Sequence, residues 1–133
     1  MNEIALMREI AKLQDQINAL RTIEVRSTII YTMNDDTAII LTPQLTTPIG
    51  IVLINARSTG YQQIFGMAQY RSLTTVFCTS MFGGTAFAVS TGILSGTTGT
   101  DGKLTVSPHT DGKLYVENRF GSAVSIAVTL LGA

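Results

Sequence analysis

Residues Thr100–Val106 read TDGKLTV, and residues Thr110–Val116 return ten positions later as TDGKLYV. Each copy places Asp-Gly, a pair typical of a tight turn, in front of residues in which apolar and polar types alternate. Alternation with a period of two indicates a strand that buries one face. Two copies are too few for a solenoid, so the pair predicts two successive strands of a meander.

The same period extends over the chain after Thr22, in runs rich in Thr, Val and Ile that Gly, Asn, Asp and Pro separate. Eight or nine short strands in residues 24–133 favour a mainly β fold, an antiparallel sandwich of the jelly-roll type. The predicted strands are Glu24–Thr32, Thr37–Thr42, Gly50–Asn55, Tyr61–Phe65, Leu73–Thr79, Ala86–Thr91, Lys103–Ser107, Lys113–Asn118 and Ser122–Leu131.

The start of the chain has a different pattern, because eight of the eighteen acidic and basic residues lie among the first 26. No Pro or Gly comes before Pro43, and Asn2 is a suitable N-cap, so we predict a helix from about Glu3 to Leu20 or slightly beyond. Its apolar residues recur at alternating steps of four and three, with Ile at a and Leu at d of a heptad. These seam residues are Leu6, Ile10, Leu13, Ile17 and Leu20.

The seam favours a coiled coil, and a helix packed on its own domain is the alternative, because both show this spacing. Five seam residues make only two to three heptads, so the helix needs partners or the following domain for stability. The heptads alone leave dimer and trimer open. We divide the chain into an N-terminal helix or coiled coil, residues 1–23, and a β-sandwich domain, residues 24–133.

Composition favours assembly over chemistry. Hydrophobic residues make up 45% of the chain, charged residues only 14%, and the mean hydropathy is +0.31. No apolar stretch is long enough to cross a bilayer, so we assign the apolar excess to subunit interfaces rather than to membrane insertion. Nine basic and nine acidic residues cancel, which argues against a nucleic-acid partner. The N-terminus lacks the pattern of a secretory signal, and we expect synthesis in the cytoplasm without processing.

Reactive side chains are scarce. The sequence has one histidine, His109, and one cysteine, Cys78, which excludes the multi-residue zinc sets and any nucleophile triad not built on His109. Cys78 ends an apolar run typical of a core, and His109 lies in the connection between the two repeats. Asp35 and Asp36 fit a turn better than a catalytic pair. We therefore predict no catalytic residue, no metal and no cofactor.

Two glycine-rich segments, which we interpret as hairpin loops, are candidate contact loops, because loops on a rigid scaffold commonly hold binding residues. The first consists of Phe82, Gly83 and Gly84, and the second consists of Gly96, Thr97, Thr98 and Gly99. Aromatic residues at or beyond strand ends are further candidates for a binding surface, with core or subunit-interface packing as the alternative. They are Tyr61, Phe65, Tyr70, Phe82 and Phe120.

The last third of the sequence resembles the closing strands of small virion proteins of tailed bacteriophages. The resemblance rests on Gly92–Thr97 (GILSGT), Thr100–Val106 and Gly112–Ser122 (GKLYVENRFGS). In those proteins a short helix or coiled coil precedes a trimeric knob of the jelly-roll or tumour-necrosis-factor-like type. The resemblance implies a homotrimer that resides in the virion and contacts capsid or tail proteins. It supplies no functional residues, because such knobs share no catalytic or binding motif.

Three functions follow from these observations as alternatives. The first is a fibre or spike knob, anchored by its bundled helices, that contacts a glycan or receptor on the host surface. The second is a capsid decoration or cement protein that stabilises the head. The third is a carbohydrate-binding module or a glycan-acting enzyme, which predicts a stable monomer with a polar groove lined by paired carboxylates. The scarcity of carboxylates in the β region counts against the enzyme. If the helices bundle along a symmetry axis, the loops far from Thr22–Ser27 are the ones that face the host.

Overall fold

The computed structural model describes residues 2–24, 27–43 and 49–131, and within them the side chains of residues 2–17, 30–43 and 49–131. One helix and nine strands lie in the described ranges, and each overlaps a predicted element, although β5 begins at Phe77 rather than at the predicted Leu73. They are α1 (Glu3–Glu24), β1 (Ser27–Met33), β2 (Thr37–Leu41), β3 (Ile49–Ser58), β4 (Gln63–Arg71), β5 (Phe77–Gly83), β6 (Phe87–Val89), β7 (Leu104–Pro108), β8 (Leu114–Asn118) and β9 (Val124–Leu131).

Asn2 caps the start of α1, as predicted. Its Oδ1 accepts a hydrogen bond from the backbone N–H of Ala5 at 2.8 Å, and its carbonyl accepts one from Leu6 at 3.1 Å. These bonds satisfy donors that the first turn of a helix leaves without a partner. Glu3 in that turn adds a favourable interaction with the positive end of the helix dipole.

The strands form two sheets that enclose one core, which confirms the mainly β sandwich. The five-stranded sheet has the order β1-β9-β3-β4-β5, and the four-stranded sheet has the order β2-β8-β7-β6. Neighbouring strands are antiparallel, except that β6 and β7 run parallel. Both sheets contribute apolar side chains to the core, where Val52, Leu104, Val116 and Val128 are fully buried. Burial of this surface is the main force that holds the sheets together.

Strands β1, β2, β8 and β9 form one antiparallel ribbon that passes from one sheet to the other. Ser27 of β1 lies opposite Leu130 of β9, and Leu41 of β2 lies opposite Leu114 of β8. The ribbon bends between these pairs, at residues 34–36 between β1 and β2 and at residues 119–123 between β8 and β9. There both of its segments leave the five-stranded sheet. We call this bend the corner.

Asn118 holds the corner together. Its Nδ2 lies within 3.2 Å of the carbonyl oxygens of Met33, Asn34 and Ser122, and its Oδ1 accepts a hydrogen bond from the backbone N–H of Phe120 at 2.9 Å. Asn118 is completely buried, so each polar atom of its amide requires a partner inside the protein. The network therefore fixes how the two sheets are joined.

The register shows which loops lie far from α1. Met33, at the corner, ends the strand that Ser27 begins next to α1, so the corner lies at the opposite end of the sandwich. The β3–β4 turn lies there too, because Thr59 N–H donates to the Ala123 carbonyl at 3.1 Å. The segment that precedes β7 is also held there, because Gly102 N–H donates to the Arg119 carbonyl at 2.7 Å. We call this the distal end.

The repeat forms the predicted pair of meander strands, with β7 and β8 antiparallel and each preceded by an Asp-Gly turn. Gly102 and Gly112 have φ values of 80° and 81°, which glycine adopts without the steric cost of a side chain. The predicted single buried face is wrong, because every residue of both strands is buried. The segment between β6 and β7 covers their outer face, where Ser107 Oγ donates to the Gly92 carbonyl at 2.7 Å.

Candidate functional site

The apolar seam of α1 is exposed in the single chain. The exposed fractions are 51% for Leu6, 54% for Ile10, 57% for Leu13 and 51% for Ile17, whereas the Leu20 side chain lies outside the described residues. A helix packed on its own domain would bury this face, and these four side chains are not buried. Water-exposed apolar residues along one helix face are typical of an interface that another chain completes.

The contact loop predicted at residues 96–99 lies at the distal end and is held from beneath by Glu117. The two carboxylate oxygens of Glu117 accept hydrogen bonds from the backbone N–H groups of Gly96, Thr98 and Gly99 at 2.7–3.1 Å. Glu117 is completely buried, and a carboxylate in that environment is stable only with such partners. The backbone of the loop is therefore fixed, while the side chains of Thr97 and Thr98 stay exposed.

Arg119 ties the same loop to the corner. Its Nη1 donates to the Gly99 carbonyl at 2.8 Å, and its Nε donates to Asp36 Oδ1 at 3.2 Å. Gly96 is required at the start of the loop, because its φ is +112° and a Cβ there would lie 2.5 Å from the Asp36 carbonyl oxygen. Glu117 and Arg119 were not predicted from the sequence, because a charged residue near the end of a strand is ordinarily exposed to solvent.

The prediction of a contact loop at Phe82, Gly83 and Gly84 is wrong in part, because Phe82 and Gly83 are the last residues of β5. Gly83 lies opposite Gly66 of β4, and the ring of Phe87 fills the space over both glycines. A Cβ on Gly83 would lie 2.7 Å from that ring, and a Cβ on Gly66 would overlap it. These glycines therefore admit a core aromatic side chain rather than form a loop.

The aromatic candidates divide into core and surface residues. Tyr70 is completely buried, and Phe120 is partly buried against the core. Phe65 and Phe82 lie side by side on the outer face of the five-stranded sheet, with ring centres 5.2 Å apart. Tyr61 is 73% exposed in the β3–β4 turn, so the predicted strand start at Tyr61 is wrong by two residues.

Arg57, which was not among the predicted site residues, stacks on Tyr61. Its guanidinium carbon lies 4.5 Å from the centre of the Tyr61 ring, the geometry of a cation–π contact. A shallow depression opens beside the pair at the distal end, lined by hydroxyl groups of Thr32, Thr59 and Ser125. A four-residue spacing between Arg and Tyr across a turn is too common in sequences to have indicated this contact.

The two aspartates of the corner have turn roles, as predicted. Asp35 Oδ1 accepts a hydrogen bond from the Gly121 N–H at 2.9 Å, and Asp36 adopts a φ of 53° and pairs with Arg119. Aspartate adopts this left-handed conformation more readily than most residues. Both carboxylates therefore stabilise the bend of the ribbon.

Cys78 and His109 also occupy structural positions. Cys78 packs against the core, and burial raises the pKa of its thiol to about 12, so little thiolate exists near neutral pH. His109 is half-buried in the β7–β8 turn, where its ring lies edge-on to Tyr115 with centres 6.5 Å apart. The His109 Nε2 lies 3.5 Å from the hydroxyl oxygen of Thr110.

Within the described ranges, no three His, Cys, Asp or Glu side chains lie together as a metal site would require. No helix in those ranges is long and apolar enough to span a membrane.

Comparison with known proteins gives one structural likeness. No family model matches the sequence, and no curated protein is similar to it. Among solved structures, the tailspike protein of an Acinetobacter phage matches 80% of this chain with a TM-score of 0.47 and 14% sequence identity. This chain spans only 21% of the length of that tailspike chain.

Proposed function

We propose that this chain is a non-enzymatic structural protein of a bacteriophage virion. In this proposal it is a homotrimer whose α1 helices bundle through their seams and whose sandwiches form a jelly-roll-like knob that contacts the host. The exposed seam is the observation that carries the proposal, because an isolated short helix gains stability only from a partner surface. The resemblance of the closing strands to small virion proteins supports the virion setting.

The residues beside the seam fit a parallel bundle. With Ile10 and Ile17 at a, Glu9 occupies a g position and Gln14 the following e position. In a parallel coiled coil, g of one helix faces the next e of its neighbour, so this pairing brings no like charges together. Met7, also at e and 63% exposed, widens the apolar face that the partner helices cover.

The outer face of the five-stranded sheet supports a second area of contact between subunits. Ile30 is 79% exposed there and lies in one row with Ala127 and Phe65, in which Asn55 is the polar member. Phe82 is 62% exposed in the next row. Toward the distal end the row of Thr32, Ser125, Arg57 and Gln63 is polar. The exposed apolar side chains are typical of the centre of a protein interface, and the polar row lies outside this contact.

The oligomeric state tests the assembly. Light scattering after gel filtration at micromolar concentration is expected to give about three times the chain mass of 14.3 kDa. A monomer would contradict the proposal and favour a carbohydrate-binding module, and a dimer would contradict the trimer alone.

Particles that lack the protein test the role in the virion. In a fibre or spike, α1 is the anchor and the distal end is free, so these particles should adsorb poorly to host cells while their heads stay intact. Deleting residues 2–21 should release the protein from otherwise complete particles. A capsid decoration or cement protein gives the opposite result, with normal adsorption and heads that lose their genome on mild heating.

A further inference from the structure

The turn between β3 and β4 is held rigidly. Ser58 N–H donates to the Gln62 carbonyl at 2.9 Å, Tyr61 N–H donates to the Ser58 carbonyl at 2.9 Å, and Gln62 N–H donates to Ser58 Oγ at 3.1 Å. A further bond from Thr59 N–H to Ala123 fixes the turn to the corner. Four hydrogen bonds in five residues leave the turn one conformation.

Within this turn Tyr61 has a φ of +64°, which is uncommon for an aromatic residue and costs energy. Such a conformation persists only where the surroundings determine it, and here it directs an apolar ring into water. The ring remains 73% exposed even though Arg57 stacks on it. The hydrogen bonds of the turn hold this conformation, and they leave the Tyr61 ring open to a ligand.

Arg57 is charged without an opposite charge beside it. The ion pairs of the described residues are those of Arg119 with Asp36 and Asp101, and none involves Arg57. The guanidinium is oriented by the Tyr61 ring at 4.5 Å, and its remaining donors are available to an acceptor. An anionic group is the acceptor that a guanidinium binds best, through two parallel hydrogen bonds.

The surroundings of the pair supply neutral hydrogen-bonding groups. Hydroxyl groups of Thr32, Thr59 and Ser125 line the depression next to Tyr61, and the adjoining depression adds the amides of Asn55 and Gln63. Neither depression is lined by an acidic residue. The surface therefore combines an aromatic ring, hydroxyls, amides and one cation, and it disfavours a cationic ligand.

We propose that Arg57 and Tyr61 form a binding site for a saccharide that carries a carboxylate. The ring of Tyr61 packs against the C–H face of a sugar, as aromatic side chains do with an amphipathic ligand. The hydroxyls and amides bind sugar hydroxyls, and Arg57 binds the carboxylate. The site lies at the distal end, and it requires neither the trimer nor the virion, so it stands apart from the function proposed above.

A glycan array tests the site with the intact protein. The array displays oligosaccharides that contain uronic or sialic acids, together with neutral oligosaccharides of the same length. Wild-type protein is expected to bind at least one acidic saccharide, and calorimetry with that saccharide then measures the affinity. Binding to no saccharide, or only to neutral ones, would overturn the proposal.

Variants locate the binding. Tyr61→Asn removes the ring but keeps a residue that accepts positive φ, and we expect its affinity to fall about tenfold, whereas Tyr61→Phe keeps it. Arg57 lies in a regular strand. The affinity of Arg57→Gln for the acidic saccharide should fall by a similar factor. Ile93→Ala removes an exposed apolar side chain outside the site and outside the outer face of the five-stranded sheet, and it serves as the control.

The remaining outcomes separate this site from the assembly. Wild-type affinity in both Tyr61→Asn and Arg57→Gln would overturn the site. A lower oligomer mass in either variant would also overturn the site, because the surface would then be a contact between subunits. A wild-type trimer that binds no saccharide rejects the site alone, and a monomer that binds one rejects the trimer alone.

Discussion

Helix α1 exposes its apolar seam residues, whereas the sandwich buries the apolar residues that face its core. In α1 the described seam side chains are each more than half exposed, whereas the inward-facing residues of the sandwich, such as Val52 and Val128, are completely buried. The sandwich therefore gains its hydrophobic stabilisation within one chain, whereas the described seam side chains of α1 gain none there. If other chains cover the seam, as proposed, folding and assembly are separable in this protein, and the following experiments test that separation.

The largest expected effect is on assembly. Replacing Ile10 and Ile17 by Ser should weaken the trimer by several kcal/mol, given about 1.5–3 kcal/mol for burying each such side chain. Light scattering should then report a lower mass at micromolar concentration. The urea midpoint for unfolding of the sandwich should stay that of the wild type.

The matched control replaces Lys12 and Asp15, exposed residues of α1 outside the seam, by Ser. This variant should keep the mass of the wild type. An unchanged mass in the Ile10 and Ile17 variant would show that the seam is not where the chains meet.

The second prediction addresses the sandwich alone. Glu117→Gln replaces one of two buried acceptor oxygens by an NH2 group that faces backbone N–H donors, so unfolding should become easier by about 1.5–3 kcal/mol. Urea unfolding measures this, with Asp101→Asn as the control, because the Asp101 side chain is 84% exposed. Equal midpoints for Glu117→Gln and the wild type would mean that the tether of the 96–99 loop adds no stability.

Two neighbouring glycines give a smaller and sharper contrast. Gly83→Ala places a Cβ 2.7 Å from the Phe87 ring and should cost about 1–3 kcal/mol, whereas Gly84→Ala meets only an ordinary contact at 3.9 Å. Thermal unfolding of the two variants measures the difference. Combining Gly83→Ala with Phe87→Leu should restore part of the loss, and failure to do so would assign the cost to the strand backbone instead.

The fourth prediction concerns stability at alkaline pH. Burial raises the pKa of the Cys78 thiol and of the Tyr70 hydroxyl to about 12, above their ordinary values of 9.0 and 10.0. The folded state thus holds these protons more tightly, so stability is complete below about pH 9 and declines as the pH rises toward 12. Urea midpoints at about pH 8 and pH 10.5 should show this decline, and Cys78→Ser should reduce it. A decline of equal size in Cys78→Ser would exclude the thiol as a cause.

The parts of the fold that the sequence predicts well are those with local signals. Alternation and Asp-Gly turns placed β7 and β8 correctly, and the heptad spacing together with Asn2 placed α1. Strand order had no such signal, because the parallel pairing of β6 with β7 depends on packing between distant segments. The same applies to the covered outer face of β7 and β8.

The candidate surfaces were harder to predict. Glycine at position 83 reads as a loop residue in sequence, and only the Phe87 ring above it shows that it belongs to a strand. Glu117 reads as the exposed residue of an alternating strand, yet it is the buried acceptor of the loop at residues 96–99. Such roles arise from contacts between residues about twenty positions apart, which a local pattern does not contain.

The ribbon also determines when the fold can close during synthesis. Strand β9 lies between β1 and β3, so the five-stranded sheet stays divided until residues 124–131 have left the ribosome. Until then β1 has no described partner strand, and β3 exposes one unpaired edge. Unpaired edges favour association with other chains, and pairing between residues a hundred positions apart is intrinsically slow. A nascent chain therefore exposes α1 to neighbouring nascent chains well before its own sandwich has formed.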